Sequence, residues 1–167
     1  PCTARILHGD PGALGFKGVS FKLLLFGGER PVLARYPNFD PKNPYGGGWA
    51  YADGEMWPLY ADNPDENKHT LKVKNSDWRT WARPDEVEVF VFPRYNWWND
   101  ILRVKSVDEP SYTITPGKDA SYALRANDRF YFPGALEALD APGGCDSAPQ
   151  PPTVSFMPPA GTLPAVG

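Results

Sequence analysis

Residues 86–92 read EVEVFVF, a strict two-residue alternation that only an extended chain can use. Successive side chains of a strand point to opposite faces, so Val87, Val89 and Val91 share one side while Glu86, Glu88, Phe90 and Phe92 share the other. A strand so apolar needs neighbours, and ILRVKSVD at 101–108 reads as its returning partner. Together they lie in the stretch 76–108, which carries four of the six tryptophans. Before the strand, Ser76-Asp77 predicts the cap of a single helical turn that carries Trp78 and Trp81.

The rest of the chain is cut into pieces too short for long helices. Twenty prolines and sixteen glycines make up about a fifth of its 167 residues. Extended segments are expected at 2–7, 19–26, 31–36, 49–52, 69–74 and 153–157, with two or three more between 109 and 132. Residues 8–15 read as a turn-rich link, and Gly27-Gly28-Glu29-Arg30 as a hairpin turn. Residues 37–48, with three prolines and a glycine triplet, form a surface loop. ALEALD at 135–140 is expected as one helical turn with Leu136 and Leu139 on one side. About ten short strands at intervals of about 8–15 residues, with no strand–helix alternation, predict an all-β fold. The expected form is an antiparallel β-sandwich or jelly-roll-like domain with one or two short helical turns. It is read as a single module over 1–167 with a proline-rich C-terminal segment, 142–167.

Composition removes several functions. A net charge of −3, a pI near 5.4 and the lack of any Lys/Arg run leave no case for nucleic acid. No apolar run approaches the roughly 18 residues that span a bilayer. The sequence starts at Pro1 without an initiator Met, the expected look of a processed or excised segment whose targeting information has been removed. Cys2 and Cys145 lie near the two ends. A bridge between them would constrain the unfolded chain by about 5 kcal/mol and imply an oxidising compartment. Two unrelated buried thiols are the alternative.

Catalytic constellations are sparse. His8 and His69 stand in contexts without a nucleophile signature, no close ligand pair suggests a metal site, and GGGWAY lacks the Lys-Ser/Thr of a phosphate loop. No cofactor is expected. Asp62, Asn63, Asp65, Glu66 and Asn67 offer oxygens for calcium, but without the spacing of a dedicated loop they read as a solvated turn. Glu86 and Glu88 could be imagined as an acid/base pair; a solvated outer face that closes on two aromatics is the simpler reading.

The loop 94–100, RYNWWND, differs from all of these. Arg94, Tyr95, Asn96, Trp97, Trp98, Asn99 and Asp100 combine flat rings, which stack on sugars, with amide, carboxylate and guanidinium groups suited to sugar hydroxyls. Adjacent tryptophans on a strand point to opposite faces, so one of Trp97 and Trp98 is expected to face outward or meet another domain. The candidate ligand-binding residues are Arg94, Tyr95, Trp97, Trp98, Asn99 and Asp100, with Trp49 and Trp57 as helpers.

Five segments in order, ARYPN (34–38), WWNDILRVKSVD (97–108), NDRFYF (127–132), LEALDAPG (136–143) and VSFMPPAG (154–161), carry a resemblance. Together they resemble the β-sandwich domain inserted in right-handed parallel β-helix, pectate-lyase-like glycoside hydrolases, the group that includes α-L-fucosidases and xylanases. The resemblance covers about residues 23–161. It departs at Pro142-Gly143-Gly144-Cys145-Asp146, where such domains tend to continue PGEWYLD, and at RFYFPG, where they tend to read RFYVEN. It implies a non-catalytic accessory module of a secreted, extracellular or periplasmic protein. Its partners would be plant cell-wall polysaccharide or an adjoining β-helix domain. The catalytic carboxylates of such enzymes would lie on the β-helix, so none is assigned here. Two other classes stay open: a structural or protein-interaction domain, and a small glycosidase or lyase that uses Glu86, Glu88 or Asp100. The last needs two carboxyls about 5–10 Å apart across a cleft.

Overall fold

The computed structural model describes residues 6–15, 25–61, 63–134, 136–149 and 152–159. The expected all-β class holds. Among the described residues eleven strands form two mostly antiparallel sheets, and the helical pieces are short 3-10 turns. The strands are β1 (Leu7–Gly9), β2 (Val32–Leu33), β3 (Arg35–Tyr36), β4 (Ala50–Tyr51), β5 (Leu71–Lys72), β6 (Glu88–Val91), β7 (Asp100–Asp108), β8 (Thr113–Pro116), β9 (Arg129–Pro133), β10 (Gly144–Pro149) and β11 (Pro152–Phe156).

The alternation in 86–92 works as read. Val87, Val89 and Val91 are buried, while Glu86, Glu88, Phe90 and Phe92 lie half-buried on the other face. Its N-terminal end differs: Pro84–Glu86 is a 3-10 turn and the ladder starts at Glu88. Residues 88–91 pair antiparallel with 100–103 of β7, while Phe90 and Val91 pair with Tyr131 and Phe130 of β9.

The larger sheet closes on itself. In the order β9-β6-β7-β8-β5 each strand pairs with the next, and β4 pairs with β9 through Ala50↔Phe130. A bridge between Ala52 and Val73, beside a hydrogen bond from the Asp53 N–H to the Lys72 carbonyl (2.8 Å), joins β4 to β5 and completes a six-stranded ring. Its interior is filled, as small barrels must be, by inward residues of every strand. Small Ala50 stands beside large Phe130, and Leu71, Leu102, Val104, Ile114 and Phe132 complete the main core. Trp81 joins that core against Phe132, with ring centroids 4.6 Å apart, and Trp78 packs on Trp81. The expected turn capped by Ser76-Asp77 differs: these two residues lie within the 3-10 turn Asn75–Asp77, which has no side-chain cap, and both tryptophans follow it.

The smaller sheet runs β1-β11-β10-β2 over a second small core of Ala34, Leu139 and Met157, with Ile6 against it. One segment stitches the two sheets together. Val32 and Leu33 lie parallel to β10, Ala34 is buried, and Arg35 and Tyr36 pair antiparallel with β9. The Ala34 N–H donates to the Cys145 carbonyl (2.6 Å), and its own carbonyl accepts from Gly134 N–H (2.8 Å).

Several local expectations change. His8 and Gly9, read as link, are strand because Ser155 and Val154 of β11 supply their partners. Gly144–Pro149, read as proline-rich tail, is a six-residue strand held between β11 and β2. Leu136 is exposed while Leu139 is buried, because the 3-10 turn ends at Ala138 and Leu139 lies beyond it, so no helical face holds them together. The hairpin at 27–30 sits one residue earlier: Phe26 pairs with Glu29, and Gly27 and Gly28 take the positive φ (59° and 83°) that the tight turn demands. The expected strand 19–26 lies mostly outside the described residues, as does Cys2.

Candidate functional site

β6 ends where buried Pro93 cannot donate to the ladder. Arg94 then takes a left-handed backbone (φ 60°), and a tight turn follows, with Trp98 N–H directed at the Tyr95 carbonyl at 3.4 Å. Because 95–99 is turn and not strand, the rule of opposite faces no longer applies. Both tryptophans are therefore exposed, Trp97 at 69% and Trp98 at 43%.

The loop is braced from a distant segment. The Asp100 carboxylate accepts from both the backbone N–H and the hydroxyl of Ser121, each at 2.7 Å. This pins the 119–123 segment against the loop and brings Tyr122 among its rings. Tyr95 stacks on Trp97 (5.3 Å, 23°), and Tyr122 meets Tyr95, Trp97 and Trp98 edge-on at 5.0, 6.2 and 6.0 Å. Trp97 and Trp98 stand at 85° to one another. The result is a four-ring platform whose members fix each other's orientation. Exposed Asn96 and Asn99 and the Asp100 carboxylate lie on its polar margin.

Tyr122 was not among the candidates. It belonged to a segment read as strand, and only the Asp100–Ser121 contact shows its place. Arg94 turns the other way. Its Nε donates to the Leu59 carbonyl (3.1 Å), Nη2 to that of Ala61 (3.1 Å), and Nη1 reaches Glu66 Oε2 at 3.4 Å. The buried Arg125 lies beside it. It donates to Glu66 Oε1 through Nε (2.5 Å), pairs with the same oxygen through Nη2, and donates to the carbonyls of Pro58, Leu59 and Ala61. Glu66, expected in a solvated turn, instead neutralises two arginines that clamp the segment 58–61. Asn63 and Asn67 spend their side-chain oxygens on local N–H groups of 65, 69 and 70. Asp65 is exposed, and Asp62, the third acid of that set, lies outside the described residues.

Behind the clamp, Asp128 Oδ2 accepts the N–H of Arg94 (3.0 Å) and of Arg125 (2.7 Å). Burial pushes its carboxyl up to about 6, against the pull of those two N–H groups and of the Arg125 charge, with Glu66 adding repulsion. Two arginines, Asp128 and Glu66 thus form one buried polar knot beneath the exposed loop.

The other acids are engaged locally. Glu86 accepts from Arg83 at 3.0 Å, and Glu88 lies opposite Arg103 in the ladder. Trp49 lies not on the platform but on the outer face of the sheet, edge-on to Phe92 and Tyr131. Trp57 is exposed in the segment preceding the clamp. Cys145 is a buried thiol, with its ionisation pushed up by burial and by the Asp146 charge. Among the described residues no three His, Cys, Asp or Glu side chains group as metal ligands, and no helix is long and apolar enough to cross a membrane. No family model, curated protein or solved structure matches the chain.

Proposed function

We propose that the chain is a non-catalytic polysaccharide-binding module whose contact surface is the ring platform Tyr95, Trp97, Trp98 and Tyr122. The carrying observation is that the most exposed tryptophan of the loop is also packed against two other rings, stacked on Tyr95 and edge-on to Tyr122. A large ring kept in water and already oriented loses little side-chain freedom on binding. Its flat face suits the apolar face of a pyranose, and Asn96, Asn99 and Asp100 supply acceptors and donors for the hydroxyls around it. The resemblance to the domain inserted in secreted β-helix glycoside hydrolases points to the same ligand class and to a cell-wall polymer.

A second reading rests on Met56, Leu59 and Tyr60, which are exposed on the clamped segment. Arg94, whose guanidinium lies 5.1 Å from the Tyr95 ring, ties that segment to the base of the platform. An apolar surface so extended also suits burial against protein, such as an adjoining β-helix domain.

Titration with soluble xylan, pectin and β-glucan, followed by tryptophan fluorescence, separates the two. Glycan binding predicts a saturable shift with at least one polymer, lost in Trp97→Ala and Trp98→Ala. No response to any polymer, together with self-association relieved by Trp98→Ser, establishes the protein interface instead.

A further inference from the structure

The outer face of the ring, next to the platform, holds two arginines that no carboxylate among the described residues pairs with. Arg129 and Tyr131 point outward from β9, and Arg35 enters the same face from β3. The Arg129 guanidinium lies 4.2 Å from the Phe92 ring centre and 4.8 Å from that of Trp49. The Arg35 guanidinium lies 3.6 Å from the Tyr131 ring and 5.3 Å from Trp49. One indole thus separates the two cations, and Phe90, stacked on Tyr131 at 4.8 Å, extends the aromatic floor.

Of the other arginines, Arg83 is matched to Glu86 and both Arg94 and Arg125 to Glu66, while Arg79 and Arg103 donate to the main-chain carbonyls of Trp78 and Asp85. Among the described residues no carboxylate lies within ion-pair distance of Arg35 or Arg129. Their acceptors are main-chain carbonyls alone: Pro37 and Gly48 for Arg35, and Asn96 (3.5 Å) for Arg129. The buried Nε of Arg129 has no acceptor among the described residues. A partly desolvated guanidinium gains something from aromatic faces, but its planar fork is best satisfied by an anion with two oxygens. The Asn96 contact is what joins this face to the loop 94–100.

We propose that this face extends the platform into a binding strip for acidic polysaccharide, in which Arg129 and Arg35 receive the carboxylates of uronic acid residues. The inference rests on the glycan reading of the platform and adds the charge of the ligand. Sugar rings stack on Trp97 and its neighbours while the polymer's carboxylates reach the two guanidinium groups across Trp49. A neutral polymer gains the stacking but not the ion pairing. The discrimination is electrostatic and weakens with salt.

The test compares polygalacturonate, the same polymer fully methyl-esterified, and unsubstituted xylan, each titrated into the full chain at low and high ionic strength. The expected result is binding of polygalacturonate at least about tenfold tighter than of its ester at low salt, or about 1.4 kcal/mol. That preference should disappear in Arg129→Gln and in Arg35→Gln, while ester binding is retained. Because Arg35 also holds Pro37 and Gly48, Arg129→Gln and the salt dependence of the unaltered chain serve as independent readouts. Equal affinity for acid and ester, still abolished by Trp97→Ala, overturns the acidic strip and leaves the glycan platform standing. Silence toward all three polymers overturns both.

Discussion

Glu66 and Arg125, 59 residues apart in sequence, form an ion pair whose side chains are only 10% and 5% exposed. Arg94 shares the same carboxylate, so removal of Glu66 takes from both cations the counter-charge they hold in common. Glu66→Ala should therefore cost about 3–5 kcal/mol of folding free energy. Urea denaturation at neutral pH reads this as a lowered midpoint, and a loss under 1 kcal/mol would show the knot to be solvated.

Asp128 gives the same knot a pH dependence. Its carboxyl is held at about 6 against an ordinary 3.8, so between those values the folded chain binds a proton that the unfolded chain has released. The stability tied to that proton is complete below about pH 4 and is lost as pH rises through about 6. Asp128→Asn keeps an acceptor for the Arg94 and Arg125 N–H groups but cannot titrate. Denaturation midpoints measured from pH 4 to 7 should fall with pH more steeply in the unaltered chain than in this variant.

Core and platform rings should separate cleanly by stability. Phe130 fills the ring interior beside Ala50, and Phe130→Ala should cost about 3–5 kcal/mol. Trp97→Ala removes a ring that is mostly in water and should stay within about 1 kcal/mol. A Trp97 loss as large as that of Phe130 would mean that the platform supports the fold.

The brace between Asp100 and Ser121 should matter to binding more than to folding. Asp100→Ala releases Ser121 and lets Tyr122 leave the other rings. Weaker glycan binding with a denaturation midpoint close to the parent's is expected, read by fluorescence titration and urea melts on one preparation. Unchanged affinity would make Tyr122 a bystander.

Cys145 should react slowly. Burial and the Asp146 charge hold its thiol protonated, so iodoacetamide at pH 7 should leave it largely unmodified in native, pre-reduced protein and modify it fully in urea. Mass measurement at fixed times decides.

How much of this could be read beforehand depended on element length. Residues 86–92 and 101–108 announce themselves because alternation persists long enough to exclude a helix, and both are strands of the ring. The closure of that ring was not legible. It depends on how Ala50–Tyr51 and Leu71–Lys72, which lie in the extended segments expected at 49–52 and 69–74, find their partners, and on the Ala52–Val73 bridge. The loop 94–100 stood out by composition, but which of its side chains stay in water is a tertiary matter. Arg94 is drawn inward by Glu66 and the carbonyls of Leu59 and Ala61, while Tyr122 is brought in by one carboxylate. Charge pairs with such wide sequence separation leave no local pattern.

The pairing of β1 with β11 has a mechanical consequence. Leu7 lies opposite Phe156 and Gly9 opposite Val154, so the outward ends of both strands are at the same end of the pair. Tension applied across Leu7 and Phe156 would load the hydrogen bonds one after another, as in a zipper, instead of all together in shear. The small sheet would peel first at low force. The six-stranded ring lies outside that line of pull, and the aromatic platform it carries would keep its shape while the tether gives way.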